Sequence, residues 1–157
     1  MLIQFSPLVT IILDFSAWFV FHMSIGFAFN YAPYRWFEKD NIIFRTKEWE
    51  NDGRFWNKYT KVRKWKHHLP DGSAVFKNGF RKKNLNKANP EFIKMFIVES
   101  RRAEMTHYFS MLPAPLFFIW NPASAGIIMI LYAIFINTPC IIAQRYNRPR
   151  FERIMKS

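Results

Sequence analysis

The sequence predicts an all-α integral membrane protein with about three transmembrane helices, one N-terminal span plus a C-terminal helical hairpin, joined by a basic, aromatic-rich cytoplasmic or interfacial insert. Three observations carry this. Residues 1–33 hold one acid, Asp14, one histidine, His22, and no Lys or Arg. Residues 108–143 hold no Asp, Glu, Lys or Arg, whereas residues 35–102 carry most of the positive charge of a chain with a formal net charge of +12. Half of the 157 residues are hydrophobic and 19% are aromatic, yet the mean hydropathy is slightly negative at -0.12, so apolar and cationic material is segregated rather than mixed.

A chain this basic invites a nucleic-acid reading, because cations displace counterions from a phosphate backbone. A soluble nucleic-acid binder has no use for charge-free segments as long as 108–143, and nucleic acid is not expected as a partner. Such segments suit a bilayer whose anionic headgroups attract Lys and Arg to the cytoplasmic side. Anionic lipid headgroups and lipid substrates are the expected partners. The length fits one domain.

Residues 1–30 are long enough to cross about 30 Å of hydrocarbon at about 1.5 Å per residue. Nothing basic precedes them, as a secretory leader would require, so a retained span is expected. Arg35, Lys39, Arg45 and Lys47 follow it and set its C-terminal end in the cytoplasm. Residues 34–88 interleave Trp36, Trp49, Phe55, Trp56, Tyr59 and Trp65 with Lys and Arg, a mixture that fits the headgroup layer or a small cytosolic core. Turns are expected at 69–72 (LPDG) and at Asn78-Gly79. Asn89-Pro90-Glu91 opens a helix, with a cap, a proline at its first position and an acid facing the dipole. That helix is expected to cover 90–120, bent at Pro113 and Pro115. Asn121-Pro122 reverses the chain, 124–143 returns through the membrane, and 144–157 forms a basic cytoplasmic tail. Three crossings put both basic regions on one side; two would split them.

Candidate chemistry gathers at 98–107. Placed on a helix with Glu99 at zero, Ala103 falls at about 40°, His107 at about 80° and Glu104 at about 140°. One broad face therefore carries both acids and the histidine just before the charge-free residues begin. A histidine held by a carboxylate serves as a general base near neutral pH, and the same residues would also make an ordinary salt-bridged helix end. Glu104 and His107 could supply two metal ligands, but di-iron bundles need that motif twice with further carboxylates, and no metal is expected.

His67 and His68 offer a second candidate base. The spaced histidine boxes of membrane oxygenases are missing. His67 and Asp71 are separated by three residues, not the four of glycerolipid acyltransferases. Asp14 and His22 would face the protein interior, touching the hairpin or lining an acceptor pocket. Arg145, Asn147, Arg148 and Arg150 form a cation-rich exit from the last span, suited to phosphate or to positive-inside anchoring. Cys140, the single cysteine, reads as a small buried apolar residue.

FWNKYTKVRKWKHHLPDG, IVESRRAEMTHYFSMLP and IIAQRYNRPR, in this order and at these separations, resemble the glycosyl-4,4'-diaponeurosporenoate acyltransferases, which act last in making the carotenoid pigment staphyloxanthin. The similarity covers roughly residues 36–151; His67 belongs to the pattern and His68 does not. The resemblance implies an integral membrane enzyme that moves a fatty acyl group onto a sugar hydroxyl of a glycosylated carotenoid or related glycolipid. His107 supported by Glu104 or Glu99, or else His67, would be the base. Arg102, Arg145, Asn147, Arg148, Arg150 and Trp65 would hold the donor phosphate or the substrate. No cofactor is expected beyond acyl-CoA or another activated donor as co-substrate. With Cys140 buried and Ser110 lacking a base, direct transfer is favoured over an acyl-enzyme. The rival reading is a non-catalytic membrane subunit or scaffold that binds anionic lipid or a partner enzyme. Three helices have little width to enclose a long lipid, so a homo-oligomer is also expected.

Overall fold

The computed structural model describes residues 2–69 and 90–156, all of whose regular structure is helical. The turns expected at 69–72 and Asn78-Gly79, and the cap at Asn89, fall wholly or partly outside these residues. Helix α1, Pro7–Tyr31, opens with proline at its first position, where no hydrogen-bonding N–H is needed. It ends at Ala32, held extended (φ -61, ψ 140) before Pro33, which disfavours a helical predecessor. Four short pieces follow: α2 (Arg35–Glu38), a 3-10 turn (Glu48–Glu50), α3 (Arg54–Thr60) and α4 (Val62–Trp65), with a second 3-10 turn over Lys66–His68. Helix α5 runs Pro90–Met111, a third 3-10 turn Ala114–Ile119, and α6 Ala123–Lys156.

Two expected boundaries move. The helix of 90–120 stops at Met111, because Pro113 and Pro115 remove two backbone donors, and the chain continues as a 3-10 turn. The basic tail of 144–157 is instead the second half of α6, which passes through Pro139 and Pro149 without ending. It stays helical because it is packed: Arg145, Tyr146, Arg148 and Pro149 are all buried.

Helix α5 lies antiparallel on α6, and α1 runs parallel to α6. The pairings show this directly: Asp14 meets Asn121, Trp18 meets Met129, Glu104 meets Arg145, and Arg101 meets Glu152. At one end Trp18, Ala114, Phe117 and Ala133 form a core, with the Trp18 and Phe117 rings stacked at 4.7 Å. Asp14, 8% exposed, accepts hydrogen bonds there from Trp120 Nε1 and Asn121 Nδ2, both at 2.7 Å. Of the two ionisable residues of the first span, Asp14 is thus the one that makes the polar contact with the hairpin. His22 Nδ1 turns back to the Trp18 carbonyl of its own helix at 2.9 Å.

Helices α1 and α6 are the two described helices long and apolar enough to cross a membrane. Little of either apolar run is buried: Phe15 and Phe135 are each 76% exposed. Exposed apolar surface on this scale is what a lipid-facing helix presents and what a soluble chain avoids. The chain is membrane-associated.

Candidate functional site

The polar centre is built around Arg145 and Arg148 on α6, one turn apart. Arg145 donates from Nε and Nη2 to the two oxygens of Glu50 at 2.6 and 2.7 Å, and from Nη1 to Glu104 Oε1 at 2.7 Å. Arg148 Nη1 donates to Glu104 Oε2. Further donors reach carbonyls of the strap between α2 and the first 3-10 turn, Ile43, Arg45 and Phe44, while Arg148 Nε is buried with no hydrogen-bond partner among the described residues. Two acids and two arginines therefore make an electrically balanced box, and Glu50, Glu104 and Arg148 are at most 1% exposed. Burial alone pushes the Glu50 carboxyl upward, but hydrogen bonds from Arg145, the Lys47 backbone N–H and Trp56 outweigh it and hold the group below the usual carboxylate range. Removing one partner of such a pair leaves a buried charge uncompensated, so the box locks its elements together.

The strap reaches the box because its backbone turns sharply. Asn41 Oδ1 accepts from the Ile43 and Phe44 N–H groups, and Asn51, Asp52 and Gly53 are left-handed. Gly53 (φ +80) lies so close to α6 that a Cβ there would meet the Tyr146 carbonyl oxygen at 2.9 Å. Pro149 has no N–H for the Arg145 carbonyl four residues back, so the helix is unpaired at the place where Gly53 approaches.

This arrangement redistributes the sequence-predicted residues. The two oxygens of Glu104 serve Arg145, Arg148 and the Tyr108 hydroxyl, so the carboxylate expected to orient His107 is engaged elsewhere. Arg145 and Arg148 turn inward, bonded to carboxylates and carbonyls rather than presented to a phosphate. Glu99 pairs with Arg102 at 3.0 Å on α5, and Arg102 Nε is buried with no hydrogen-bond partner among the described residues.

His107 faces α6. Its Nδ1 lies 2.9 Å from Asn137 Oδ1, and Asn137 Nδ2 donates to the Ala133 carbonyl at 2.9 Å. The second contact fixes the first: with its amide nitrogen committed to a carbonyl, Asn137 can offer only oxygen to the ring. Nδ1 must therefore carry the proton, and in the neutral ring the lone pair sits on Nε2. Asn137 is 2% exposed, so this setting is rigid. It lies within the charge-free run, about 9 Å along α6 from Ala143 at about 1.5 Å per residue.

His67 is not brought to this place. It is exposed beside His68, their rings 3.9 Å apart, at the level of Asn147, about 15 Å along α6 from Asn137. Trp65 is a packing residue: its Nε1 donates to the Thr60 carbonyl at 2.8 Å, and its ring lies on the cluster of Val62, Ala143 and Tyr146. Asn147 accepts from Lys66 Nζ, while Arg150 is exposed and stacked on Tyr146. An apolar groove of about 300 Å³, lined by Ile43, Met105, Tyr108, Phe109 and Leu112, opens on the side of α5 away from His107. Among the described residues no group of three His, Cys, Asp or Glu side chains is placed to hold a metal.

Sequence reasoning missed Asn137 and Glu50. Asn137 left a signal, a carboxamide inside a charge-free span, where a polar side chain needs a partner. Glu50 left none, since its partner lies 95 residues away.

Comparison with known proteins covers the same residues. The family profile described as glycosyl-4,4'-diaponeurosporenoate acyltransferase matches residues 33–157. Proteins of that name from Staphylococcus aureus strains bovine RF122 / ET3-1, MRSA252 and USA300 are 37% identical over 139 residues, 88% of this chain and 84% of theirs. No solved structure matches the chain. The profile spans the arginine–carboxylate box and His107 with Asn137 alike, and with relatives of this identity and coverage it shows that the chain belongs to the glycosyl-4,4'-diaponeurosporenoate acyltransferase family.

Proposed function

We propose that the chain is a membrane acyltransferase that moves a fatty acyl group onto a sugar hydroxyl of a glycosylated carotenoid or related glycolipid, with His107 as general base. Family membership supports the reaction class, and the relatives' names supply the acceptor. The observation that carries the base is the relay from Ala133 through Asn137 to His107, which sets the proton on Nδ1 and makes Nε2 the basic nitrogen of the neutral ring.

The acceptor hydroxyl gives its proton to Nε2 while its oxygen attacks the acyl carbonyl carbon. The tetrahedral oxyanion collapses, the bond to the donor's leaving group breaks, and the imidazolium returns the proton to that group. Asn137 is a positioning residue, holding the tautomer. The Glu99–Arg102 pair lies up the helix, and its unpartnered Nε suits a sugar oxygen or the developing oxyanion.

Three crossings fit this reading. The segment 98–120 meets both ends of α1: Arg101 donates to the Phe37 and Glu38 carbonyls just past its C-terminus, and the Leu2 N–H donates to the Ile119 carbonyl just before its N-terminus. The basic ends of α1, α5 and α6 then share one side, which the charge bias makes cytoplasmic.

The test is acyl transfer from labelled acyl-CoA to a glycosylated carotenoid by purified protein in nanodiscs. Asn137→Leu should lower kcat by roughly ten- to a hundredfold with KM little changed. Donor binding without turnover by the wild type would make the chain a non-catalytic subunit instead.

A further inference from the structure

Five described arginines are engaged by carboxylates: Arg101 by Asp40 and Glu152, Arg102 by Glu99, Arg145 by Glu50 and Glu104, Arg148 by Glu104, Arg153 by Asp52. Lys66 and Arg150 differ. Both are drawn to a single ring, with Lys66 Nζ 4.9 Å and the Arg150 guanidinium 3.7 Å from the centre of Tyr146. That ring is 1% exposed and part of the core, so it is a fixed platform. Lys66 Nζ is held further by Asn147 Oδ1 at 2.5 Å. Arg63 lies three residues before Lys66 and is exposed.

Among the described residues no carboxylate forms an ion pair with any of these three cations. Burial lowers the Lys66 pKa, and repulsion from Arg150 and Arg63 lowers it further. Like charges held together by packing and hydrogen bonds, with no counter-charge among the described residues, form a site preorganised for an anion. An ammonium beside a guanidinium fork suits a tetrahedral oxyanion with several oxygens.

We propose that Lys66 and Arg150 form a phosphate-binding site beside the basic half of α6. Its ligand is a phosphate ester, supplied by the activated acyl donor or by an anionic lipid headgroup. The site stands about 15 Å along α6 from the His107 relay, which leaves room for an extended acyl-thioester arm to lie between them. Only the donor as source rests on the acyltransferase reading.

The test is binding, not turnover. Wild-type protein in phosphatidylcholine nanodiscs is titrated with coenzyme A by calorimetry, and phosphatidylglycerol retained by the purified protein is measured by native mass spectrometry. Arg150→Gln, at an exposed position that preserves the fold, should weaken one of the two probes by roughly tenfold, and Lys66→Gln/Arg150→Gln should weaken it further. Loss confined to coenzyme A assigns the site to the donor; loss confined to phosphatidylglycerol assigns it to a headgroup. Wild-type binding of both probes by Arg150→Gln and by the double variant overturns the proposal. His107→Ala should bind both probes as the wild type does, so failed catalysis and a failed phosphate site give different results.

Discussion

Replacing Glu104 with glutamine is the perturbation that separates scaffold from chemistry. In the wild type its carboxylate is fully buried and receives Arg145 Nη1 and Arg148 Nη1, balancing the box together with Glu50. Glu104→Gln leaves that box with a net charge of about +1. Arg145 keeps both of its Glu50 contacts, but Arg148 is left with the Phe44 carbonyl and with Glu152 at 4.0 Å. An uncompensated buried charge costs about 3–5 kcal/mol, and because the amide oxygen can still accept one bond the lower end applies, about 3 kcal/mol. For a chain of this size that is a fall of about 6–12 °C in Tm. Thermal unfolding in mild detergent, followed by tryptophan fluorescence, reads it directly. Glu104→Gln/Arg148→Met, which restores neutrality, should recover more than half of the loss. A Glu104→Gln protein that melts with the wild type but has lost turnover would refute this reasoning and return the carboxylate to the orientation of His107.

Gly53→Ala should destabilise by more than about 1 kcal/mol, because it combines a left-handed backbone with a Cβ 2.9 Å from the Tyr146 carbonyl oxygen; a lower Tm checks it. Glu50 titrates below its unfolded value, so its contribution to stability is present at neutral pH and is lost as pH falls through and below about 4. Unfolding followed from pH 7 to about pH 3 should therefore show a loss that is smaller in Glu50→Gln. Asp14→Leu strands the Trp120 and Asn121 side-chain donors and should cost roughly 2–4 kcal/mol in the same melt. Crosslinking in native membranes tests association of copies through the exposed faces of α1 and α6, and a purely monomeric ladder would contradict it.

The charge-free runs made α1 and the first half of α6 legible, because bilayer length and the lack of ionisable groups are local properties. Pro90 marked where α5 begins for the same reason, whereas Pro113 and Pro115, expected to bend the helix, end it at Met111. What could not be read was the destination of the arginines. Arg145 and Arg148 look like a solvated anchor until Glu50 and Glu104 arrive from 95 and 44 residues away, and that pairing is what keeps α6 helical and packed past the membrane boundary. Helical spacing placed Glu104 and His107 near one face, and they do lie about 60° apart. That angle was enough to send one into the ion box and the other to Asn137. The sequence pattern located the histidine; only the fold showed what orients it.

Imidazole rescue tests the base most directly. Protein carrying His107→Gly, in nanodiscs with labelled acyl-CoA and glycosylated carotenoid, should form almost no acylated product, and added imidazole should restore a measurable part of the rate while the Tm stays near that of the wild type. Undiminished turnover without imidazole would contradict the account.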